Sequence, residues 1–119
     1  MNRVVLTGTG VPVPDPERAG AGTFVEVDGV RIQVDAGRGT VMRLAGAMVP
    51  LPSIDAVLVT HHHSDHLTGL ADLALTRWIG GGHVTTIVAP SGPAARFAEG
   101  LLDQWSDDID VRVAHPGHD

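Results

Sequence analysis

The chain has 119 residues, 43% of them apolar and 18% charged, with a net charge of −6. That length suits one domain over residues 1–119, and the balance of apolar and charged residues excludes a disordered chain. All eight basic residues are arginine, the acidic balance argues against a broad nucleic-acid-binding face, and the absence of cysteine removes disulfides, thiolate ligands and a thiol nucleophile.

No apolar run approaches the ~20 residues of a membrane span, and MNRVVLTGTG does not read as a signal peptide, so a cytoplasmic protein is expected. Residues 3–7 (RVVLT) read as a short strand, and the Gly- and Pro-rich residues 8–22 as a loop. Residues 23–27 and 30–35 are β-branched runs separated by Asp28-Gly29, a hairpin signal. Residues 38–48 carry Val41, Leu44, Ala45 and Met48 at helical spacing, and Pro50 and Pro52 end that pattern. Residues 54–59 form an apolar, buried strand.

Residues 67–79 predict a helix with Leu70, Leu73, Ala74 and Trp78 on one face, ended by Gly80-Gly81-Gly82. Residues 84–89 read as a strand. Ser91 is placed to cap a further helix, with Pro93 in its first turn and Phe97, Leu101 and Trp105 as its buried stripe. Residues 109–114 read as a last strand, followed by HPGHD. The order β, hairpin, α, β, α, β, α, β predicts an α/β layer architecture, in which functional residues sit beyond the carboxyl ends of strands.

Four imidazoles and a carboxylate occupy six residues in "HHHSDH", after one such strand. Neutral imidazole is the commonest metal ligand. His61 and His63 lie two apart, so an extended backbone points them the same way, whereas His62 points elsewhere. Asp65 and His66 follow where the chain turns toward the helix. Two metals ~3.5–4 Å apart would be served by one pair each. A solvated polar loop and a histidine tag are the alternatives. The internal position, behind a buried strand and before a helix, favours ligands.

The same residues resemble the H-x-H-x-D-H motif of the metallo-β-lactamase superfamily. "LTGTGVPVPDPER" is similar to the glycine-rich opening of its ribonuclease Z-like branch, and "IQVDAGRGT" to the strand ending in Asp-x-Gly. "HSDHLTGLADL" and "TTIVAPSGPAARFAEGLL" extend the resemblance over about residues 3–105. It implies the N-terminal half of an αββα sandwich, built from a β-hairpin and βα units. It further implies that His61 and His63 bind one metal and Asp65 and His66 a second, with Asp35 bracing the ligand loop from behind.

The cofactor so implied is a divalent metal, two zinc ions, with manganese or iron as alternatives. The implied reaction is phosphodiester hydrolysis by a metal-bound hydroxide, with Asp65 orienting the attacking water. The substrate would be an RNA 3′ end or a small phosphodiester or ester. Related activities are cyclic-nucleotide phosphodiesterase and arylsulfatase-like hydrolysis. The low basic content puts the small substrate at least level with RNA, because surfaces that track phosphates are basic.

Superfamily members bring further ligands: a third histidine, a bridging aspartate and a last histidine. His115, His118 and His83 are weak candidates here, and Asp107, Asp108 and Asp110 read as a solvated acidic cluster. An N-terminal portion of a longer hydrolase is therefore expected. The alternative is a catalytically incomplete metal-binding module that pairs as a homodimer. Gly8-Thr9-Gly10 does not open a dinucleotide site, because a proline-rich loop follows where a helix should start. That loop is expected to reach over the metal site, with Arg18 a candidate anion contact. No G-x-S-x-G elbow exists, since Ser91 lies in A-P-S-G-P.

Overall fold

The computed structural model describes residues 2–81 and 83–114. Strands β1 (Arg3–Gly8), β2 (Gly22–Val27) and β3 (Val30–Val34) form an antiparallel meander. β4 (Ala56–Leu58) and β5 (Ile87–Val88) join it in parallel, in the spatial order β1-β2-β3-β4-β5. The β2–β3 turn is the one expected: Asp28 and Gly29 have φ of 50° and 83°, and positive φ at both central residues matches the strand twist of a two-residue hairpin.

Parallel strands need crossover connections, and helices supply them. α1 (Thr40–Gly46) lies between β3 and β4, and α2 (Leu70–Ile79) between β4 and β5. Phe24, Val57, Leu44, Ile54, Leu70 and Leu73 are almost fully buried and make one continuous core on the helix side of the sheet. Buried Arg77 of α2 donates to the Ile54 carbonyl at 3.1 Å, tying the helix to the entry of β4. The opposite sheet face is also apolar but open: Val4 and Leu6 are each 66% exposed, and Val88 is 54% exposed.

α1 is shorter than expected. Met48 takes φ 60°, and the Val49 amide donates to the Leu44 carbonyl while the Met48 amide donates to that of Ala45. That is the Schellman closure of a helix end, with Met48 in the left-handed position that glycine usually fills. Met48 and Ala45 are therefore exposed, and the buried stripe of α1 reduces to Thr40 and Leu44.

Three further expectations are corrected. The strand expected at residues 109–114 is helix α4 (Ser106–Ala114). Its alternating Ile109, Val111 and Val113 imitate a strand, but Asp107 and Asp108 sit in the first turn, where the helix dipole favours them. Arg112 then pairs with Asp108 at 2.8 Å across one helical turn. The strand expected at residues 84–89 shrinks to Ile87–Val88, because β4 offers it only Val57 and Leu58 as partners.

α3 (Pro93–Glu99) is preceded by Gly92, not capped by the Ser91 side chain, although Pro93 does take its first turn. The helix stops before Leu101, so the expected stripe breaks up. Ala94 and Leu101 are buried, whereas Phe97 and Trp105 are each 44% exposed.

Candidate metal centre

The centre forms where β3 and β4 end side by side. Asp35 follows β3, and its amide donates to the Leu58 carbonyl of β4 at 2.7 Å. Two further backbone bonds knit the loops beyond: Ala36 N–H to the His66 carbonyl at 2.9 Å, and Gly69 N–H to the Ala36 carbonyl at 2.8 Å. The approach is too close for side chains. A Cβ on Gly37 would lie 2.5 Å from the Asp65 carbonyl oxygen, and one on Gly69 would lie 2.1 Å from that of Gly37.

Asp35 has φ 57°, a conformation that aspartate tolerates better than most residues, and it is 5% exposed. Its carboxylate accepts from the Thr60 amide at 2.8 Å, the Thr60 hydroxyl at 2.7 Å and His66 Nδ1 at 2.7 Å. Thr60 Oγ1 also lies 2.8 Å from His61 Nδ1. These contacts fix both rings. A hydroxyl has one proton, and the carboxylate can only accept, so the Thr60 proton goes to Asp35 and His61 Nδ1 must donate to Thr60. His66 Nδ1 must likewise donate to Asp35. In the neutral rings of His61 and His66 the lone pair then resides on Nε2, the state that ligates metal.

The rings converge. The centroid of His61 lies 4.5 Å from that of His63 and 4.2 Å from that of His66. An Asp65 oxygen lies 3.6 Å from His66 Nε2, from the short 3₁₀ turn Ser64–His66. One possible ligand atom each from Asp35, His61 and His66 lies within 4.8 Å of the others. Imidazole nitrogens and carboxylate oxygens suit a divalent ion, but Asp35 already accepts three hydrogen bonds, and that set does not include Asp65 or the exposed His63. His62 is exposed, with its ring 5.7 Å from that of His63, and His83 is exposed in the loop after α2.

Asp107, Asp108 and Asp110 belong to α4, and Arg18 lines a cleft between the Gly/Pro-rich loop and the ligand loop. His115 and His118 lie outside the described residues. The sequence reading did not single out Thr60, although its place immediately before the first histidine was a signal. It also passed over Arg38, between two glycines after Asp35. α2 begins at Leu70, four residues beyond His66 and not at Leu67.

A profile of the family described as anti-Pycsar protein Apyc1 matches residues 3–104. The chain belongs to that family. Ribonuclease Z of Mycolicibacterium gilvum is 42% identical over 119 residues, covering 97% of this chain and 41% of the relative. Ribonuclease Z of Mycobacterium marinum is 38% identical over 97% of this chain and 42% of its own length. This member of the Apyc1 family thus spans about two-fifths of the length of the curated relatives it matches.

Among solved structures, human tRNase Z, short form, superposes with a TM-score of 0.76 at 26% identity, over 89% of this chain and 40% of that one. The metallo-β-lactamase fold protein YhfI of Bacillus subtilis gives 0.72 at 25% identity, over 81% and 41%. The expected fold is therefore confirmed as the N-terminal part of the metallo-β-lactamase fold, and the sequence as ribonuclease Z-like. Among the described residues, no helix is long and apolar enough to cross a membrane.

Proposed function

We propose that this chain carries the metal-binding segment of a hydrolase that cleaves phosphodiesters. One observation carries the reading. Three imidazoles converge, and in two of them a shared carboxylate fixes the tautomer so that Nε2 is left to ligate. In this reading His61 and His63 hold one divalent ion, and Asp65 and His66 hold a second. Zinc is the first candidate for both, with manganese or iron as alternatives. Such ions supply Lewis acidity, lowering the pKa of water and offsetting charge at the reacting centre.

The chain's own residues do the rest. Asp35 acts from behind, since its oxygens already accept three hydrogen bonds and hold the ligand loop to the sheet. Asp65, partly exposed beside His66, orients the attacking water. The ribonuclease Z relatives support an RNA 3′ end as substrate. The net charge of −6 and the absence of lysine favour a small phosphodiester or ester. We place the reaction in the cytoplasm.

Metal per chain, measured together with cleavage of bis(p-nitrophenyl) phosphate in added zinc or manganese, tests the proposal. His63→Ala is expected to lower metal uptake and abolish turnover with the fold intact. A folded wild-type protein that takes up no divalent ion would end the hydrolase reading. One observation favours a second reading, a non-catalytic metal-binding module that dimerises: the open sheet face, with Val4 and Leu6 each 66% exposed. A metal-loaded dimer without turnover would support it.

A further inference from the structure

Beside the metal centre the Gly/Pro-rich loop encloses a cleft of about 300 Å³. Pro12, Pro14 and Pro16 give it stiff apolar walls, while Arg18 and Arg38, with Asp15 and Asp65, give it charge of both signs. The two arginines differ. Arg18 Nε lies 4.0 Å from Asp15, so part of its field is already answered. The Arg38 guanidinium has no ion pair or hydrogen bond among the described residues.

The position of Arg38 is nonetheless built. The Gly20 amide donates to its carbonyl at 2.7 Å, locking this segment to the Gly/Pro-rich loop. The preceding Gly37 packs against the backbone of Asp65, and the following Gly39 takes φ 82°. Two carboxylates, Asp15 and Asp65, line the same cleft, yet neither pairs with Arg38, so its guanidinium is left to take an anion from outside. Guanidinium presents a planar fork of donors that matches two phosphate oxygens at once.

We propose that Arg38 is the binding and specificity residue of this cleft. It receives oxygens of an anionic phosphate group of the substrate and so favours phosphate esters over neutral esters at the adjacent centre. The proposal rests on the hydrolase reading for its catalytic consequence, but anion binding itself can be measured without turnover. Arg38 is exposed and only its backbone is bonded internally, so its replacement leaves the fold intact.

Calorimetric titration of the purified chain with inorganic phosphate gives the first readout. Arg38→Ala should weaken binding about tenfold, Arg38→Glu more, and Arg38→Lys less, as expected for loss of a charge-assisted, forked hydrogen bond. Kinetics on the zinc-loaded protein give the second. KM for bis(p-nitrophenyl) phosphate should rise about tenfold in Arg38→Ala with kcat little changed, and KM for p-nitrophenyl acetate should stay put.

Equal phosphate affinity in wild type and Arg38→Ala, or equal KM changes for the charged and neutral esters, overturns the proposal. Phosphate binding that depends on Arg38 in a chain that never cleaves the diester leaves the proposal standing and removes the hydrolase reading. Diester cleavage indifferent to Arg38 does the reverse.

Discussion

Two carboxylates lie almost buried at opposite ends of β3, and they are held in different ways. Glu26, 7% exposed, sits at the hairpin end between two guanidiniums, with Arg31 Nε at 2.8 Å and Arg3 Nε at 3.0 Å. Asp35, 5% exposed, sits at the other end and accepts from an amide, a hydroxyl and an imidazole. Around Glu26 each guanidinium gives its Nε–H to one carboxylate oxygen, and Arg31 also donates from Nη1 to the Ser53 hydroxyl at 2.8 Å. Around Asp35 the partners are bifunctional: His66 and, through Thr60, His61 each turn a second nitrogen away from the carboxylate. The first arrangement is a strut. The second transmits order from the sheet to an open position, which is what a ligand site needs.

The largest effect is expected from Asp35→Ala. It removes the acceptor for three donors and leaves alanine at φ 57°, where the added strain is of order 1–2 kcal/mol. Zinc affinity is expected to fall by about 10–100-fold, the usual cost of losing a partner behind a ligand, together with a lower unfolding midpoint. Asp35→Asn tolerates the same backbone angle but has one acceptor oxygen and no charge: with that oxygen in the place of Oδ2, which takes both the Thr60 hydroxyl and His66 Nδ1, its NH2 is turned against the Thr60 amide that Oδ1 accepts. It should restore much of the stability and little of the affinity. Calorimetric zinc titration beside thermal unfolding separates the two. Affinity that tracks stability in both variants would reduce Asp35 to a second strut.

Thr60→Val is a smaller change at the same carboxylate. The valine keeps the shape and the backbone amide bond to Asp35 but deletes the hydroxyl between Asp35 and His61. Losing one neutral hydrogen bond predicts about 2- to 10-fold weaker zinc binding. The more telling readout is the ring itself. Nitrogen NMR of the metal-free protein should show His61 with its proton on Nδ1 in wild type and Thr60→Ser, and a mixture of tautomers in Thr60→Val, while His66 is unchanged. An unaltered His61 would mean that the hydroxyl does not set the tautomer.

The sequence made the clustering of the histidine rings legible because its signal is local. Histidines two apart on extended chain, with a strand before and a helix after, fix a shared direction whatever the rest of the chain does. Asp35 was legible through the Asp-x-Gly resemblance. Thr60 was not, since its role depends on a partner 25 residues upstream that only the β3–β4 pairing brings alongside. Arg38 was hidden for a similar reason: only the folded Gly/Pro-rich loop turns its position into the wall of a cleft.

The misreadings cluster in the last third of the chain. Ile109, Val111 and Val113 alternate as a strand would, but with Asp107 and Asp108 ahead of them the same residues wind into α4. The α3 stripe failed because spacing of 97, 101 and 105 presumes one uninterrupted helix, and Gly100 ends it. Period and propensity identify an element only while its ends are also right.

The mildest test concerns the strut. The Arg31 side chain, hydrogen-bonded to Glu26, holds that carboxyl below the ordinary glutamate range. Burial pulls the other way, and Arg3 adds to the lowering. A carboxyl whose folded-state pKa is depressed stabilises the fold above its unfolded pKa of about 4.3. That contribution fades as pH falls through the lower folded value, because protonation then removes the ion pairs. Glu26→Gln should therefore lower the urea midpoint modestly at pH 7 and flatten its dependence on pH below about 4.3, the window in which wild type loses this contribution. Zinc affinity should not move, because nothing around Glu26 reaches the metal centre. Parallel acid limbs in the two proteins would show that the guanidiniums do not stabilise the ionised form. A change in zinc affinity would show that the two ends of β3 are coupled, and the contrast between strut and site would have to be given up.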